Sequence, residues 1–181
     1  MYFFRYSKVS FSQIEKLTSK LLTFGSVDAA CDQMGKRLMH DILPPCLSDS
    51  ELKRTVERDG ERWNSGKSRV VNRVEIDPDT EVRLLRANCI RLVCEDEDKV
   101  RIYHSVDNTR EYHETEEQFM EVDPEMAPAI EELISSYPKY RTAESLNVEG
   151  ESLEDKMRLV QDLWERKILM TREPLEAHYD D

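Results

Sequence analysis

His178-Tyr179-Asp180 has the H-x-D spacing that supplies two of the three ligands in a facial-triad iron site. Such a site needs a second histidine and open coordination positions on a rigid scaffold, whereas only Asp181 follows here and terminal residues fray, so an acidic tail is expected. Cys89, Cys94, His104 and His113 offer a zinc-like quartet of ligand types. Their C-x4-C-x9-H-x8-H spacing fits no finger, and an odd offset along one strand sends the two cysteines to opposite faces. Glu116-Glu117 and Glu131-Glu132 are adjacent carboxylates, which do not converge on one substrate atom and have no apolar surroundings to raise a pKa. The chain holds no phosphate loop, nucleophile elbow or dinucleotide glycine motif. The residues therefore predict no catalytic, cofactor-binding or metal-binding set.

Charge narrows the partners. The chain of 181 residues carries a net charge of -12, and the imbalance is local: residues 111–181 hold 20 acids against 7 Lys and Arg, residues 1–110 hold 18 against 19. Nucleic-acid affinity rests mainly on Lys and Arg neutralising phosphates, so direct DNA binding is disfavoured. Arg83, Arg86, Arg91 and Arg101 are the candidate phosphate contacts, but Glu95, Asp96, Glu97 and Asp98 sit at the tip of the same segment. The apolar runs are far shorter than the roughly 18 residues a membrane helix requires, and the start lacks the features of a secretion signal. The spacing of Cys31, Cys46, Cys89 and Cys94 suggests no disulfide framework and predicts reduced thiols.

The elements that must position any site follow from periodicity. Phe11, Ile14, Leu17, Leu21 and Phe24 share one helical face that stops at Gly25; Ser26 opens a second helix with Val27, Ala30, Cys31, Met34, Leu38 and Ile42 in its stripe, ending before Pro44-Pro45. Ser48 and Glu51 form a capping-box pattern for a short third helix bearing Leu52 and Val56, closed near Gly60. Residues 61–79 read as a linker. Residues 80–113 alternate apolar and polar types in a β-meander of three strands, around Val82 and Leu84, Ile90 to Cys94, and Val100 and Ile102, with a charged turn forming a wing. A helix from Pro128 carries Ile130, Leu133, Ile134 and Tyr137; a last helix, capped by Ser152 and Asp155, carries Leu153, Met157, Val160, Leu163 and Trp164, and residues 168–171 add a closing strand. The fold class is α+β: an N-terminal helical hairpin (residues 1–59, an incomplete helical dimerisation region), a linker (60–79), a winged-helix-like domain with a short antiparallel sheet (80–177) and a tail (178–181).

Scattered residues in a fixed order carry a family resemblance. They are Leu43-Pro44-Pro45 with Leu47 and Glu51, Thr80-Glu81-Val82, Arg91-Leu92-Val93, Tyr103 with Val106, Asn108 and Arg110, Tyr112-His113, Ser136-Tyr137-Pro138, and Leu169-Met170-Thr171 before Pro174-Leu175. The pattern resembles the C-terminal half of the JmjC ribosomal oxygenases over residues 8–175, and is most similar to the nucleolar histidyl-hydroxylase and histone lysine demethylase branch. The resemblance implies dimerisation helices followed by a winged-helix domain. For full-length members it implies Fe(II), 2-oxoglutarate and O2 as reactants, a ribosomal-protein histidine or histone H3 lysines as substrates, and a nuclear and nucleolar location. The jelly roll that carries the family's iron ligands has no counterpart in this sequence, so no catalytic residue carries over and the chain reads as a fragment, a truncated isoform or a gene-model product.

Three functions follow as expectations. The favoured one is a non-catalytic assembly module that self-associates through Phe11, Ile14, Leu17, Leu21, Met34 and Leu38, because a two-helix hairpin exposes an apolar stripe that a chain this small cannot cover. The alternatives are a working dioxygenase or demethylase, which needs an iron triad, and a winged-helix nucleic-acid binder, which needs a basic recognition helix. Residues 152–166 contain Glu154, Asp155, Asp162 and Glu165 and are not basic.

Overall fold

The computed structural model describes residues 11–24, 26–56, 62–66, 69–71, 74–96, 99–110, 116–148, 150 and 152–175. Gly25, Gly60, Glu97, Asp98, His113 and the His178-Tyr179-Asp180 motif lie outside them, as does part of the expected linker. The chain divides into two compact units, residues 1–35 and residues 36–181.

In the first unit, α1 (Phe11–Phe24) is followed by the opening of α2 (Val27–Asp41). Ser26 caps α2, its Oγ accepting from the Ala29 N–H at 3.2 Å, which satisfies one of the orphan donors of the first turn. Most of the stripe expected on α2 is not the face it buries: Val27, Ala30, Cys31, Met34 and Leu38 are exposed, while Lys36 and Met39 are buried and, of the expected stripe, Ile42 alone among the described residues packs beside them. Periodicity identifies an apolar stripe but not the surface that will cover it.

The second unit takes in α2 from Lys36 onward and a short α3 (Asp49–Leu52). The Ser48–Glu51 capping box forms, Ser48 N–H donating to Glu51 Oε2 at 2.9 Å. Strands β1 (Arg62–Asn64) and β2 (Arg69–Val71) then pair antiparallel within the segment expected to be a linker. Next come β3 (Glu81–Leu84), β4 (Ile90–Asp96), β5 (Lys99–His104) and β6 (Phe119–Val122). A 3-10 turn with Pro124 leads into α4 (Ala127–Ser136), then β7 (Arg141–Thr142), α5 (Leu153–Glu165) and β8 (Leu169–Thr171).

The expected three-stranded meander is instead divided between two sheets. β4 and β5 form the wing hairpin, with a bulge between Cys94 and Asp96, and β6 completes an antiparallel sheet in the order β4-β5-β6. β3 leaves them to lie between β7 and β8 in a second antiparallel sheet. A turn in which the Cys89 N–H and thiol both reach the Arg86 carbonyl makes the switch, and the Leu85 N–H continues the second sheet to the Ile168 carbonyl. Alternation marks a strand as half-buried without naming its neighbour.

One core joins the sheets to α4 and α5. Val82 and Leu84 of β3, Ile102 of β5, Ile130 and Leu133 of α4, and Val160 and Leu163 of α5 are fully or almost fully buried together. α5 has the predicted Ser152–Asp155 capping box, and its stripe packs as expected except for Leu153, which is exposed. It ends in a Schellman motif: the Ile168 N–H reaches the Leu163 carbonyl at 3.0 Å and the Lys167 N–H the Trp164 carbonyl at 2.9 Å, with Lys167 at φ 60°. That conformation favours glycine. Lys167→Gly is expected to raise stability by up to about 1 kcal/mol, read as a higher urea midpoint at unchanged slope; a lower midpoint would show that the lysine side chain supports the turn.

Candidate interaction surfaces

The wing sheet presents two faces, and each meets a different part of the chain. Val100, Ile102, Met120 and Val122 alternate onto the face that joins the main core. Val93, Arg101, Tyr103, Phe119 and Glu121 share the opposite face, where Val93 and Tyr103 pack with Met39 and Ile42. The C-terminal half of α2 is thereby docked on the wing.

Glu95 fixes that docking. Its carboxylate accepts from Lys36 Nζ, from Arg101 Nη1 at 2.6 Å and from the Tyr103 hydroxyl at 2.6 Å, while the Lys36 ammonium also lies 5.0 Å from the centre of the Tyr103 ring. The hydrogen bond from Lys36, followed by that from Tyr103, lowers the Glu95 pKa to about 2. Asn108 completes the attachment, its side-chain amide donating to the carbonyls of Met39, His40 and Ile42 at 2.7, 3.2 and 2.8 Å. These include groups that the end of an α-helix leaves without intrahelical partners.

A second clamp holds the stretch after α2. Arg86 donates to Glu51 Oε1 at 2.6 Å and to the Cys46 carbonyl at 3.0 Å, and this contact, with the Ser48 N–H, lowers the Glu51 pKa to about 2. The Arg54 carbonyl receives the Thr171 N–H at 2.9 Å and its hydroxyl at 3.2 Å, tying the same stretch to β8.

These contacts engage the arginines considered for phosphate binding. Arg86 is held by Glu51, and Arg101 bridges Glu95 and Glu121, with Nη2 2.7 Å from Glu121 Oε1. Arg83 lies over the rings of Tyr137 and Tyr140 at 5.5 and 5.1 Å, and the Arg91 side chain is exposed on β4. Three of the four are built into the fold rather than gathered on one open face.

The candidate ligand residues that are described differ in setting. Cys89 is buried and Cys94 exposed, and burial pushes the Cys89 thiol upward. His104 is buried with its pKa lowered by that burial, and its Nδ1 stands 4.0 Å from Asp107 Oδ2, too far for a hydrogen bond. Glu116, Glu117 and Glu131 are exposed; Glu132 instead accepts from the Asn147 N–H and pairs with Arg141 at 3.4 Å. Among the described residues, no group of three or more His, Cys, Asp or Glu could hold a metal ion, so they do not fit an Fe(II) site. No described helix is long and apolar enough to cross a membrane.

All six residues of the predicted association surface are exposed: Phe11 at 82%, Ile14, Leu17 and Leu21 on α1, and Met34 at 74% and Leu38 on α2. A cleft of about 390 Å³ also opens between the wing sheet and α5, with Met120, Glu121 and Val122 on one side and Arg158, Leu159 and Asp162 on the other.

A three-stranded sheet with a wing hairpin, packed on helices around one core, defines a winged-helix module. Residues 43–175 match the family described as the C-terminal winged helix domain of ribosomal oxygenase 1. The chain is 40% identical over 163 residues to ribosomal oxygenase 1 of Gallus gallus, covering 90% of this chain and 26% of that protein. It is 42% identical over 166 residues to the bifunctional lysine-specific demethylase and histidyl-hydroxylase NO66 of Drosophila yakuba (90% and 24%), and 39% identical over 166 residues to ribosomal oxygenase 1 of Danio rerio (92% and 30%). The chain belongs to the ribosomal oxygenase C-terminal winged-helix family, and it spans about a quarter of the length of these relatives.

Because Glu95 titrates lower in the folded protein than its ordinary 4.5, its contribution is present above that value and is lost as pH falls toward about 2. Glu95→Gln is expected to cost about 1–3 kcal/mol at neutral pH and to flatten the acid side of the stability profile, measured by urea unfolding from pH 7 downward. An acid limb identical to that of the unmodified chain would remove Glu95 from the account.

Proposed function

We propose that this polypeptide is a non-catalytic assembly portion of an oxygenase, in which α1 and the outer face of α2 pair with another subunit while the winged-helix body braces the complex. The observation that carries this reading is the uncovered apolar row of α1, with Leu17 and Leu21 one helical turn apart and exposed while the body closes its own core. The occupant is a second copy of the chain, joined through Phe11, Ile14, Leu17, Leu21, Met34 and Leu38. The boundaries proposed for the helical region, linker and winged helix are residues 1–59, 60–79 and 80–177. The part of α2 from Lys36 onward belongs to the same compact unit as the winged-helix body, and Lys36 donates to Glu95 there.

The relatives' names describe an oxygenase, a lysine demethylase and a histidyl-hydroxylase. For the full-length protein we propose the corresponding chemistry: Fe(II)- and 2-oxoglutarate-dependent oxidation of a ribosomal-protein histidine or of methylated histone H3 lysines, in the nucleus and nucleolus. The catalytic residues are then supplied outside the span matched here.

Leu17→Asp with Leu21→Asp should convert a self-associated species to monomer in sedimentation velocity while leaving the circular dichroism of the body intact. An unchanged sedimentation profile would overturn the interface. Incubation of the purified chain with Fe(II), 2-oxoglutarate and a ribosomal-protein peptide should release no succinate above background; turnover abolished by His178→Ala would instead assign catalysis to the tail.

A further inference from the structure

Among the described residues no strand pairs with the outer edge of β6, which has both the backbone groups and the charge to receive one. The His104 N–H bonds to the Gln118 carbonyl, and the register pairs Ile102 with Met120 and Val100 with Val122. In an antiparallel ladder, hydrogen-bonded and non-hydrogen-bonded pairs alternate, so Phe119 and Glu121 belong to non-hydrogen-bonded pairs and direct their N–H and C=O groups away from β5. No described residue bonds to those outward groups. β6 is the last strand of its sheet, and Met120, Glu121 and Val122 form a wall of the cleft whose other wall is α5.

The lining selects the occupant. Val100, Met120, Val122 and Leu159 supply apolar surface for alternate side chains of an extended segment. Glu121 is already met by Arg101 at 2.7 Å and Lys99 at 3.7 Å, which leaves Asp123, Asp155 and Asp162 facing Arg158 along the lining. Asp123 and Asp162 make no ion pair among the described residues. An acidic segment would be repelled by this carboxylate excess and a neutral one would gain nothing from it, whereas a basic one would be drawn to it.

We propose that the groove between β6 and α5 is a docking site for an extended basic segment of a partner protein, which adds antiparallel or parallel to β6 and places alternate apolar side chains against Met120, Val122 and Leu159. Main-chain hydrogen bonds to Phe119 and Glu121 hold the segment, and Asp123 and Asp162 select its lysines or arginines. This surface is separate from the apolar row of α1, so the two proposals stand or fall independently.

The probe is a fluorescein-labelled peptide of alternating Lys and Val, titrated against the full 181-residue chain by anisotropy and by amide NMR. Saturation should slow hydrogen exchange at the Phe119 and Glu121 amides, and Asp123→Lys with Asp162→Lys should weaken binding about tenfold or more. The same peptide N-methylated at alternate amides should not bind, and a Glu-Val peptide should bind far more weakly than Lys-Val. Absence of Lys-Val binding, equal binding by Glu-Val, an unaffected double variant, or protection appearing elsewhere with β6 unchanged would each overturn the proposal. Sedimentation of the Leu17→Asp, Leu21→Asp variant with the peptide separates this site from self-association, since that variant should bind the peptide unchanged.

Discussion

One carboxylate organises the near face of the wing. Glu95 stands at the end of a hairpin where a charged side chain is normally solvated, yet it accepts from a lysine, an arginine and a tyrosine at once. Removing any one donor leaves a partly buried charge short of a partner, which costs more than the net gain of the hydrogen bond itself. Lys36 contributes the contact that crosses furthest in sequence, and the apolar patch of Met39, Val93 and Tyr103 forms beside it. The ion pair and the apolar patch together hold the end of α2 from Lys36 onward on the sheet.

The stretch from Lys36 to Val56 behaves as a belt around the winged-helix body. Asn108 holds the end of α2, Arg86 holds α3 through Glu51, and Thr171 holds the Arg54 carbonyl. Each anchor joins a side chain to backbone or to a carboxylate across a long sequence separation, so the belt depends on the sheets being complete. The same arrangement engages three of the four arginines considered for phosphate contact: Arg86 and Arg101 fasten the chain to itself, and Arg83 rests on two tyrosines.

Local patterns were legible in the sequence where one short window contained the physics. The Ser152–Asp155 cap and the Val160, Leu163 and Trp164 stripe define α5 within a few turns, and the alternation of residues 90–102 defines the wing hairpin. Alternation could not reveal that β3 pairs with β7 and β8, because partner choice is decided by the core that closes around Leu84 and Ile130. The apolar row of Ile14, Leu17 and Leu21 was legible and is exposed, whereas the buried face of α2 was missed, since its key residue is a lysine whose partner lies 59 positions away. No residue type announces the outward backbone groups of Phe119 and Glu121; they emerge only from the register of β5 and β6.

Native-state hydrogen exchange across α2, followed residue by residue in the unmodified chain and in Lys36→Met, tests the role of the Lys36–Glu95 contact most directly. The amides of residues 37–41 should be protected in the unmodified chain and lose protection selectively when Lys36 is replaced, with β3 and β8 unchanged. Equal exchange in both proteins would show that the Lys36–Glu95 contact does not hold residues 36–41 on the wing.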